Sequence, residues 1–231
     1  MSVISDKINH MEWGFPFPGG LDAQDIQALE ELIQLTCKSN IQIADVGCWT
    51  GKSTITLALA INQYGGHISA IDWFKGSDGT DLQRAAKDTS IKEILKAHLR
   101  YFNVESRVEI IEKSSLEAVK TFQDNSLDLV FLDADHRYLK VIDDLNAWWP
   151  KVKPGGIFCG HDCEMILHAP SAHTLEDNPD APNPWNFFAD RPDNGWNDVD
   201  CLQFHPGVVR AVSKIFPQAQ IKGKQVWWVK K

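Results

Sequence analysis

Side chains that could carry acid–base or metal chemistry follow each of five apolar segments of this chain. Carboxylates and imidazoles can accept protons or bind cations, and hydroxyl groups can hydrogen-bond a ligand. If the segments are parallel strands, their carboxyl ends meet at one edge of a sheet, so we expect these side chains to surround one ligand cleft. They are Asp45, Asp72, the run Glu112-Lys113-Ser114, the run Asp133-Ala134-Asp135-His136 and the run Gly160-His161-Asp162.

The first of these segments runs into a glycine turn, IADVGCWTGKST, that looks like a phosphate-binding loop. A Walker A loop has four residues between its first glycine and Gly-Lys-Ser, whereas three residues separate Gly47 from Gly51. A dinucleotide-binding turn has a second glycine two positions after the first, and this chain has Trp49 there. The turn therefore favours a smaller anion, such as a carboxylate, at the N-terminus of the next helix.

Asp72 lies 25 residues beyond Gly47, at the end of the second apolar segment. A carboxylate at such a position can accept hydrogen bonds from two vicinal ribose hydroxyls. Together with Asp45 and the shortened turn, Asp72 indicates a site for a nucleoside that carries a small charged group and no phosphate.

The elements that must position these residues alternate along the chain. We predict strands at Ile41–Val46, His67–Ile71, Arg107–Ile111, Leu127–Leu132 and Gly156–Cys159, and helices between them. This alternation is typical of an α/β fold with parallel strands, right-handed crossovers and helices on both faces of the sheet. The predicted helices are Lys52–Gln63, Thr80–Tyr101, Ser115–Phe122 and Arg137–Trp149.

The chain of 231 residues suits one domain, 1–231, with distinct segments at both ends. Residues 1–40 are predicted as a helical lead-in, with a helix capped by Asp22 and ending near Lys38. Residues 164–206 lack periodicity and are rich in Pro, Asn, Asp and aromatic residues, which is typical of a lid over a site. A helix at Gly207–Ile215 and a terminal hairpin complete the prediction.

Composition excludes several classes of function. The net charge of -8 and the isoelectric point near 5.4 argue against nucleic-acid binding, which needs clustered Lys and Arg. No run of 18 apolar residues suggests a membrane span, and the first residues do not read as a signal peptide. The five cysteines contain no CxxC pair, which suits free thiols in the cytoplasm. His168, His173, His205 and Cys201 are interpreted as loop residues.

Four stretches in order resemble the class I S-adenosylmethionine-dependent methyltransferases, namely ADVGCWTGKST, SAIDWF, LDLVFLDADHRY and KPGGIFCGHD. The likeness is greatest to the O-methyltransferase branch with the catechol, caffeoyl-CoA and macrolide-sugar enzymes. It implies a Rossmann-like sheet of order 3-2-1-4-5-7-6, with strand 7 antiparallel, and a homodimer. It also implies that S-adenosylmethionine is held by Asp45, Gly47, Gly51 and Ser53 at its methionine part, by Asp72 at the ribose, by Ser114 near the adenine, and by Asp133.

The resemblance also implies catalytic residues and a divalent cation such as Mg²⁺. Asp133 and Asp162 match the metal-binding acids of that branch, but Cys163 stands where catechol-type enzymes have Asn, which leaves the metal open. His161 is an additional candidate ligand. His136 takes the place of the base, and an imidazole with an ordinary pKa of about 6.5 can accept a proton at neutral pH. The expected catalytic residues are His136, Asp133 and His161.

Two alternatives to an active methyltransferase remain open from sequence. The first is a nucleotide-dependent phosphotransferase or ATPase that uses Gly-Lys-Ser as a degenerate phosphate loop and LVFLD as the Mg²⁺-binding strand. The shortened glycine turn counts against it. The second is a cofactor-binding protein that has lost transfer activity.

Overall fold

The computed structural model describes residues 2–9, 20–36, 38–77, 81–163 and 205–231. Seven strands form one sheet in the order β3-β2-β1-β4-β5-β7-β6, and β7 runs antiparallel to both of its neighbours. The predicted strand order is therefore confirmed. The strands are β1 (Ile41–Val46), β2 (Gly66–Asp72), β3 (Val108–Glu112), β4 (Leu127–Leu132), β5 (Val152–Gly160), β6 (Gln220–Lys222) and β7 (Val226–Lys230).

Eight α-helices flank the sheet in the described ranges, and 3-10 turns extend α3, α6 and α7. The predicted helix from Thr80 to Tyr101 is two helices, because Ser90 has an extended backbone and begins the second one. The helices are α1 (Val3–Asn9), α2 (Ala23–Thr36), α3 (Lys52–Ala60), α4 (Asp81–Asp88), α5 (Ile91–Tyr101), α6 (Ser115–Ala118), α7 (Tyr138–Trp148) and α8 (Pro206–Ile215).

The start of α2 shows how local sequence fixes an element near the site. The Oδ1 atom of Asp22 accepts hydrogen bonds from the backbone N–H groups of Gln24 at 2.8 Å and Asp25 at 3.0 Å. These bonds satisfy donors that have no partner inside the helix. The predicted cap is thus confirmed, and it places Asp25 in the first turn of α2.

Strand β4 is the centre of the core. All six of its residues are buried, as expected for a strand covered by helices on both faces. One apolar cluster joins α2, α3 and α5 to the sheet, and the other joins α7 and α8 around Trp148 and Trp227. The strands are held at fixed register by these two layers, so their carboxyl ends form a rigid edge.

The lead-in predicted for residues 1–40 contains α1 and α2. Of the predicted lid, 164–206, residues 164–204 lie outside the described residues. Across the described ranges, every helix falls short of the length and apolarity needed to span a bilayer.

Candidate functional site

A cleft of about 370 Å³ opens at the carboxyl ends of β1, β2, β3 and β4. Its wall combines apolar side chains such as Trp73, Leu82 and Leu116 with polar groups from the strand ends. This size and this mixture are typical of small-molecule sites. Four of the predicted site residues line it: Gly47, Asp72, Ser114 and Asp133.

Gly47 brings β1 against the loop that follows β4. Its φ angle is +91°, and a Cβ atom there would lie 1.9 Å from the carbonyl oxygen of Asp133. The backbone N–H of Asp133 in turn donates to the carbonyl oxygen of Val46 at 2.8 Å. No residue with a side chain can occupy position 47 without displacing Asp133, so this glycine sets the floor of the cleft.

Asp72 lies on the cleft wall with both carboxylate oxygens anchored by backbone. It accepts hydrogen bonds from the N–H of Trp49 at 2.9 Å and of Phe74 at 2.6 Å. Burial raises the pKa of Asp72 to about 6, although these hydrogen bonds oppose the shift. Each oxygen has a second lone pair, so the carboxylate can still accept from two ligand hydroxyls.

Asp45, Gly51 and Ser53 lie behind the turn and are not among the residues that line the cleft. The carboxylate of Asp45 accepts hydrogen bonds from the hydroxyls of Ser53 and Thr54, and burial raises its pKa to about 7. A Cβ atom on Gly51 would lie 2.3 Å from Leu95. These residues fix the start of α3 against β1, and their contact with a cofactor stays a prediction.

Ser114 and its neighbours form the far end of the cleft. Ser114 caps α6, and its hydroxyl donates to Glu117 at 2.6 Å. Ser115 donates to Asp144 and accepts a hydrogen bond from the indole N–H of Trp148 at 2.9 Å. Burial raises the pKa of Asp144 to about 7. Sequence reasoning missed Asp144, because its spacing in α7 predicts only a helical position.

A cluster of histidines and carboxylates adjoins the cleft, and Asp133 belongs to both. The Nε2 atom of His136 lies 3.4 Å from Asp133 and 3.0 Å from Asp162. Burial alone would lower the pKa of His136, but the charges of Asp162 and Asp133 outweigh burial and raise it to about 9. The structure thus brings together Asp133 and His136, which follow β4, and Asp162, which follows β5.

His161 is buried between two carboxylates. Its Nδ1 atom lies 2.8 Å from Asp162, and its Nε2 atom lies 3.3 Å from Asp25 of α2. Burial opposes the charged ring, yet the two carboxylates hold the pKa of His161 well above its ordinary value. Burial also opposes ionisation of Asp162, but His161 and His136 hold its pKa well below the usual range. Sequence reasoning missed Asp25, whose position in a helix gives no sign of this contact.

His205 was interpreted from sequence as a loop residue, and the structure places it at this cluster. Its ring centroid lies 4.9 Å from that of His136, and its Nδ1 atom lies 3.5 Å from Asp162. The only sequence signal was its position just before Pro206 and the start of α8. Cys163, in contrast, is fully buried in the apolar cluster around α7 and α8, so its thiol faces the core.

The structure gives the phosphate-loop interpretation no support. Lys52, which would contact a phosphate, is not among the residues that line the cleft. Burial lowers the pKa of Lys52, although the charges of Asp22, before α2, and Asp25, in its first turn, oppose this shift.

The sequence of this chain is similar to a known protein family and to one further protein. A family profile described as "Methyltransferase domain" matches residues 44–163. An uncharacterized protein, y4gI of Sinorhizobium fredii, is 34% identical over 59 residues, which are 26% of this chain. The chain spans 6% of the length of that relative.

Several solved structures share the fold. TomG of Streptomyces achromogenes, an O-methyltransferase involved in tomaymycin synthesis and crystallised with SAM, has a TM-score of 0.59 at 16% identity, with 99% of this chain and 89% of TomG covered. A Klebsiella pneumoniae protein described provisionally as an O-methyltransferase has a TM-score of 0.60 at 17% identity, with coverage of 99% and 89%. An O-methyltransferase of Bacillus cereus in complex with SAH has a TM-score of 0.55 at 14% identity, with coverage of 100% and 92%.

Proposed function

Because this chain belongs to the methyltransferase-domain family, we propose that it is an S-adenosylmethionine-dependent O-methyltransferase acting on a hydroxyl group of a small molecule, such as a sugar or a phenol. The observation that carries the proposal is the position of Asp133. This residue lines the cleft and lies 3.4 Å from His136. A nucleoside site and a proton acceptor are therefore adjacent.

The cleft suits the cofactor in its size and in the chemistry of its wall. Asp72 offers carboxylate oxygens to ribose hydroxyls, and Gly47 leaves the floor free of side chains beside it. Ser114 lies at the end of the cleft where the resemblance puts the adenine. Asp45, Gly51 and Ser53 would act at the methionine part by holding the glycine turn and the start of α3.

The reaction breaks the carbon–sulfur bond of the donor and forms a carbon–oxygen bond to the acceptor, while the sulfur keeps the electron pair. The cofactor supplies an activated methyl group on a positively charged sulfur. His136 would accept the proton of the acceptor hydroxyl. Asp133 and the strand ends around it would align the acceptor oxygen with the methyl group. Such alignment lowers the activation barrier, because the entropy cost of bringing the two groups together is met on binding.

His136 can accept a proton only when it is neutral. With its pKa raised to about 9 by Asp162 and Asp133, the ring carries a proton at pH 7 as long as nothing offsets those two charges. A divalent cation, Mg²⁺ or another, would supply that offset and would lower the pKa of the acceptor hydroxyl. The carboxylates of Asp133 and Asp162 suit such an ion, and we include the cation and these two ligands in the proposal.

Titration calorimetry with S-adenosylmethionine and with ATP tests the cofactor. We expect binding of S-adenosylmethionine and none of ATP, because the glycine turn is too short for a triphosphate. Binding of ATP alone would overturn the proposal in favour of the phosphotransferase. Transfer of a labelled methyl group to a panel of catechols, other phenols and monosaccharides then tests the reaction and distinguishes an inactive binding protein.

The role of His136 is tested by replacing it with Ala. We expect affinity for S-adenosylmethionine to change little and turnover to fall by a factor on the order of 100 or more. His67→Ala is the matched control, because His67 is a half-exposed histidine at the opposite end of β2, beside Glu109. Equal turnover in the two variants would remove His136 from the chemistry.

The proposal includes the cellular setting of the enzyme. Acidic composition, with a net charge of -8, and three buried thiols outside any disulfide, Cys48, Cys159 and Cys163, support a cytoplasmic protein whose partner is a small hydroxylated molecule, with neither a nucleic acid nor a membrane bound. We expect a homodimer, and light scattering after gel filtration would measure it.

A further inference from the structure

We propose that Asp133, His161 and Asp162 bind one divalent transition-metal ion, and that Asp25 orients the ring of His161 toward it. This inference rests on the proposed function, which places a cation beside Asp133 and Asp162, and it deepens that function by naming the class of metal and a nitrogen ligand. It also gives a role to Asp25, a residue of α2 that no part of the proposed reaction uses.

The three ligands come together because β4 and β5 are neighbours in register. Leu132 pairs with Gly160, and the N–H of His161 donates to the carbonyl oxygen of Leu132 at 3.2 Å. One ligand atom from each of the three side chains lies within 4.8 Å of the others. Ligand atoms around one ion with bonds of about 2.0 to 2.2 Å lie roughly 3 to 4 Å apart, so modest rotations of the side chains suffice.

The hydrogen bonds of Asp25 fix which nitrogen of His161 faces the site. Its Oδ1 atom accepts from the backbone N–H groups of Lys224 at 2.7 Å and Gln225 at 2.9 Å. Its Oδ2 atom is left to face Nε2 of His161 at 3.3 Å. An ionised carboxylate can only accept, so Nε2 carries the hydrogen and Nδ1 points at Asp162. A carboxylate behind a histidine in this way is the usual support of a metal-bound imidazole.

The contact between Nδ1 of His161 and Oδ1 of Asp162 requires a positive species between them. Both atoms offer lone pairs, and they lie 2.8 Å apart. A proton can fill this position, and so can a metal ion that replaces the proton. Three carboxylates, those of Asp25, Asp133 and Asp162, surround the rings of His161 and His136, and this excess of acidic groups suits a doubly charged ion.

The ligand set selects the metal. Mg²⁺ prefers oxygen ligands only, whereas imidazole suits Zn²⁺, Fe²⁺, Co²⁺ and related ions. The position where catechol-type enzymes have an amide oxygen is Cys163, and its side chain is buried in the core. Because the group of Asp133, His161 and Asp162 contains an imidazole nitrogen beside two carboxylates, we expect a transition metal to bind in preference to Mg²⁺.

Titration of the chelator-treated full chain with Co²⁺, followed by its visible absorption, tests the site without methyl transfer. We expect one equivalent to bind, with displacement by Zn²⁺ and no displacement by millimolar Mg²⁺. His161→Gln should weaken Co²⁺ binding by about 100-fold, and Asp25→Asn by about 10-fold. The amide introduced by Asp25→Asn would keep its oxygen on the Lys224 and Gln225 N–H groups and present N–H to His161, so the ring would take the other tautomer.

His205→Gln and His67→Gln are the controls for this titration. His205 and His136 form a second possible group with Asp162, so loss of Co²⁺ binding in His205→Gln but not in His161→Gln would overturn the inference. Displacement of Co²⁺ by Mg²⁺, or no Co²⁺ binding at all, would do the same. If Asp25→Asn does not fold by circular dichroism, the ¹⁴N splitting in the electron paramagnetic resonance spectrum of bound Cu²⁺ decides whether His161 is a ligand, because His161→Gln would remove that splitting.

The outcomes also separate this inference from the proposed function. Methyl transfer by a protein that binds no transition metal would overturn the metal site and leave the O-methyltransferase standing. Co²⁺ binding through His161 in a protein that binds no S-adenosylmethionine would do the reverse.

Discussion

The carboxylates at the two halves of the strand edge are buried to a similar degree and behave in opposite ways. At the ends of β1 and β2, the hydrogen-bond donors to Asp45 and Asp72 within the described part of the chain are neutral hydroxyl and backbone N–H groups. Burial raises the pKa values of these two carboxylates to about 7 and 6. After β5, Asp162 lies between His161, His136 and His205, and its pKa is held well below the usual range. The opposite pKa shifts of these carboxylates therefore result from the charge of their nearest partners rather than from a difference in burial.

This difference assigns different work to the two halves. A carboxylate with neutral partners can accept further hydrogen bonds from a ligand, which suits the recognition of ribose. A carboxylate held among imidazoles keeps its charge, which suits a cation or a proton transfer. Gly47 lies between the two halves, and because it has no Cβ atom the turn after β1 can pack directly against the Asp133 carbonyl.

The largest expected loss of stability comes from adding a side chain at Gly47, between the two halves. Gly47→Ala would place a Cβ atom 1.9 Å from a backbone oxygen at a φ of +91°, so we expect the free energy of unfolding to fall by about 3 kcal/mol or more. Gly65→Ala is the control: Gly65 has a φ of +70°, and a Cβ atom there would meet no described residue within 4 Å, so backbone strain of about 1 kcal/mol is the expected cost. Urea denaturation measures both, and equal losses would mean that the contact is not what restricts position 47.

The next largest expected loss of stability comes from removing the charge of Asp162 in the histidine cluster. Asp162→Asn removes the negative charge between His161 and His136 and leaves one acceptor oxygen in place of two, and breaking such a buried ion pair is expected to cost about 3 kcal/mol of stability. Urea denaturation at pH 7 without metal measures this cost. A loss below about 1 kcal/mol would show that the two rings are neutral and that the histidine cluster does not differ from the cleft in the proposed way.

The pH dependence of stability sharpens the same contrast. The pKa of His136 is raised to about 9 from its ordinary value near 6.5, so its contribution is fully present below pH 6.5 and is lost as the pH rises through 9. We expect the stability difference between the metal-free protein and His136→Gln to shrink by roughly 2 kcal/mol over that window. A difference that stays constant from about pH 6 to about 9.5 would contradict the raised pKa.

The smallest expected change in stability is at the cleft half. Both oxygens of Asp72 accept from backbone N–H groups, those of Trp49 and Phe74, and Asp72→Asn would leave one of these donors without its acceptor. We expect the free energy of unfolding at pH 7 to fall by about 1 kcal/mol, because the lost partner is neutral. Affinity for S-adenosylmethionine should nevertheless fall by about 10-fold or more, because the amide offers one acceptor oxygen instead of two. Calorimetry and urea denaturation on the same sample measure both quantities, and an unchanged affinity for S-adenosylmethionine in Asp72→Asn would mean that Asp72 is only structural.

Local patterns in the sequence determined the fold class and half of the site. The alternation of apolar segments and helices predicted a parallel sheet, and the resemblance supplied its strand order, which is confirmed. The carboxyl ends of parallel strands must meet, so Gly47, Asp72, Ser114 and Asp133 were predicted at a cleft that they do line. The break at Ser90 was missed, because helix periodicity continues through it.

Only the tertiary structure decided the partners of the histidines. Asp25 reaches His161 across 136 residues of chain, and His205 reaches Asp162 from the start of α8. Neither contact leaves a periodic signal, since each depends on how a helix packs against the sheet edge rather than on spacing within one element. The sequence therefore determined which residues stand at the strand ends, and packing determined which carboxylates remain neutral acceptors and which are held as charges.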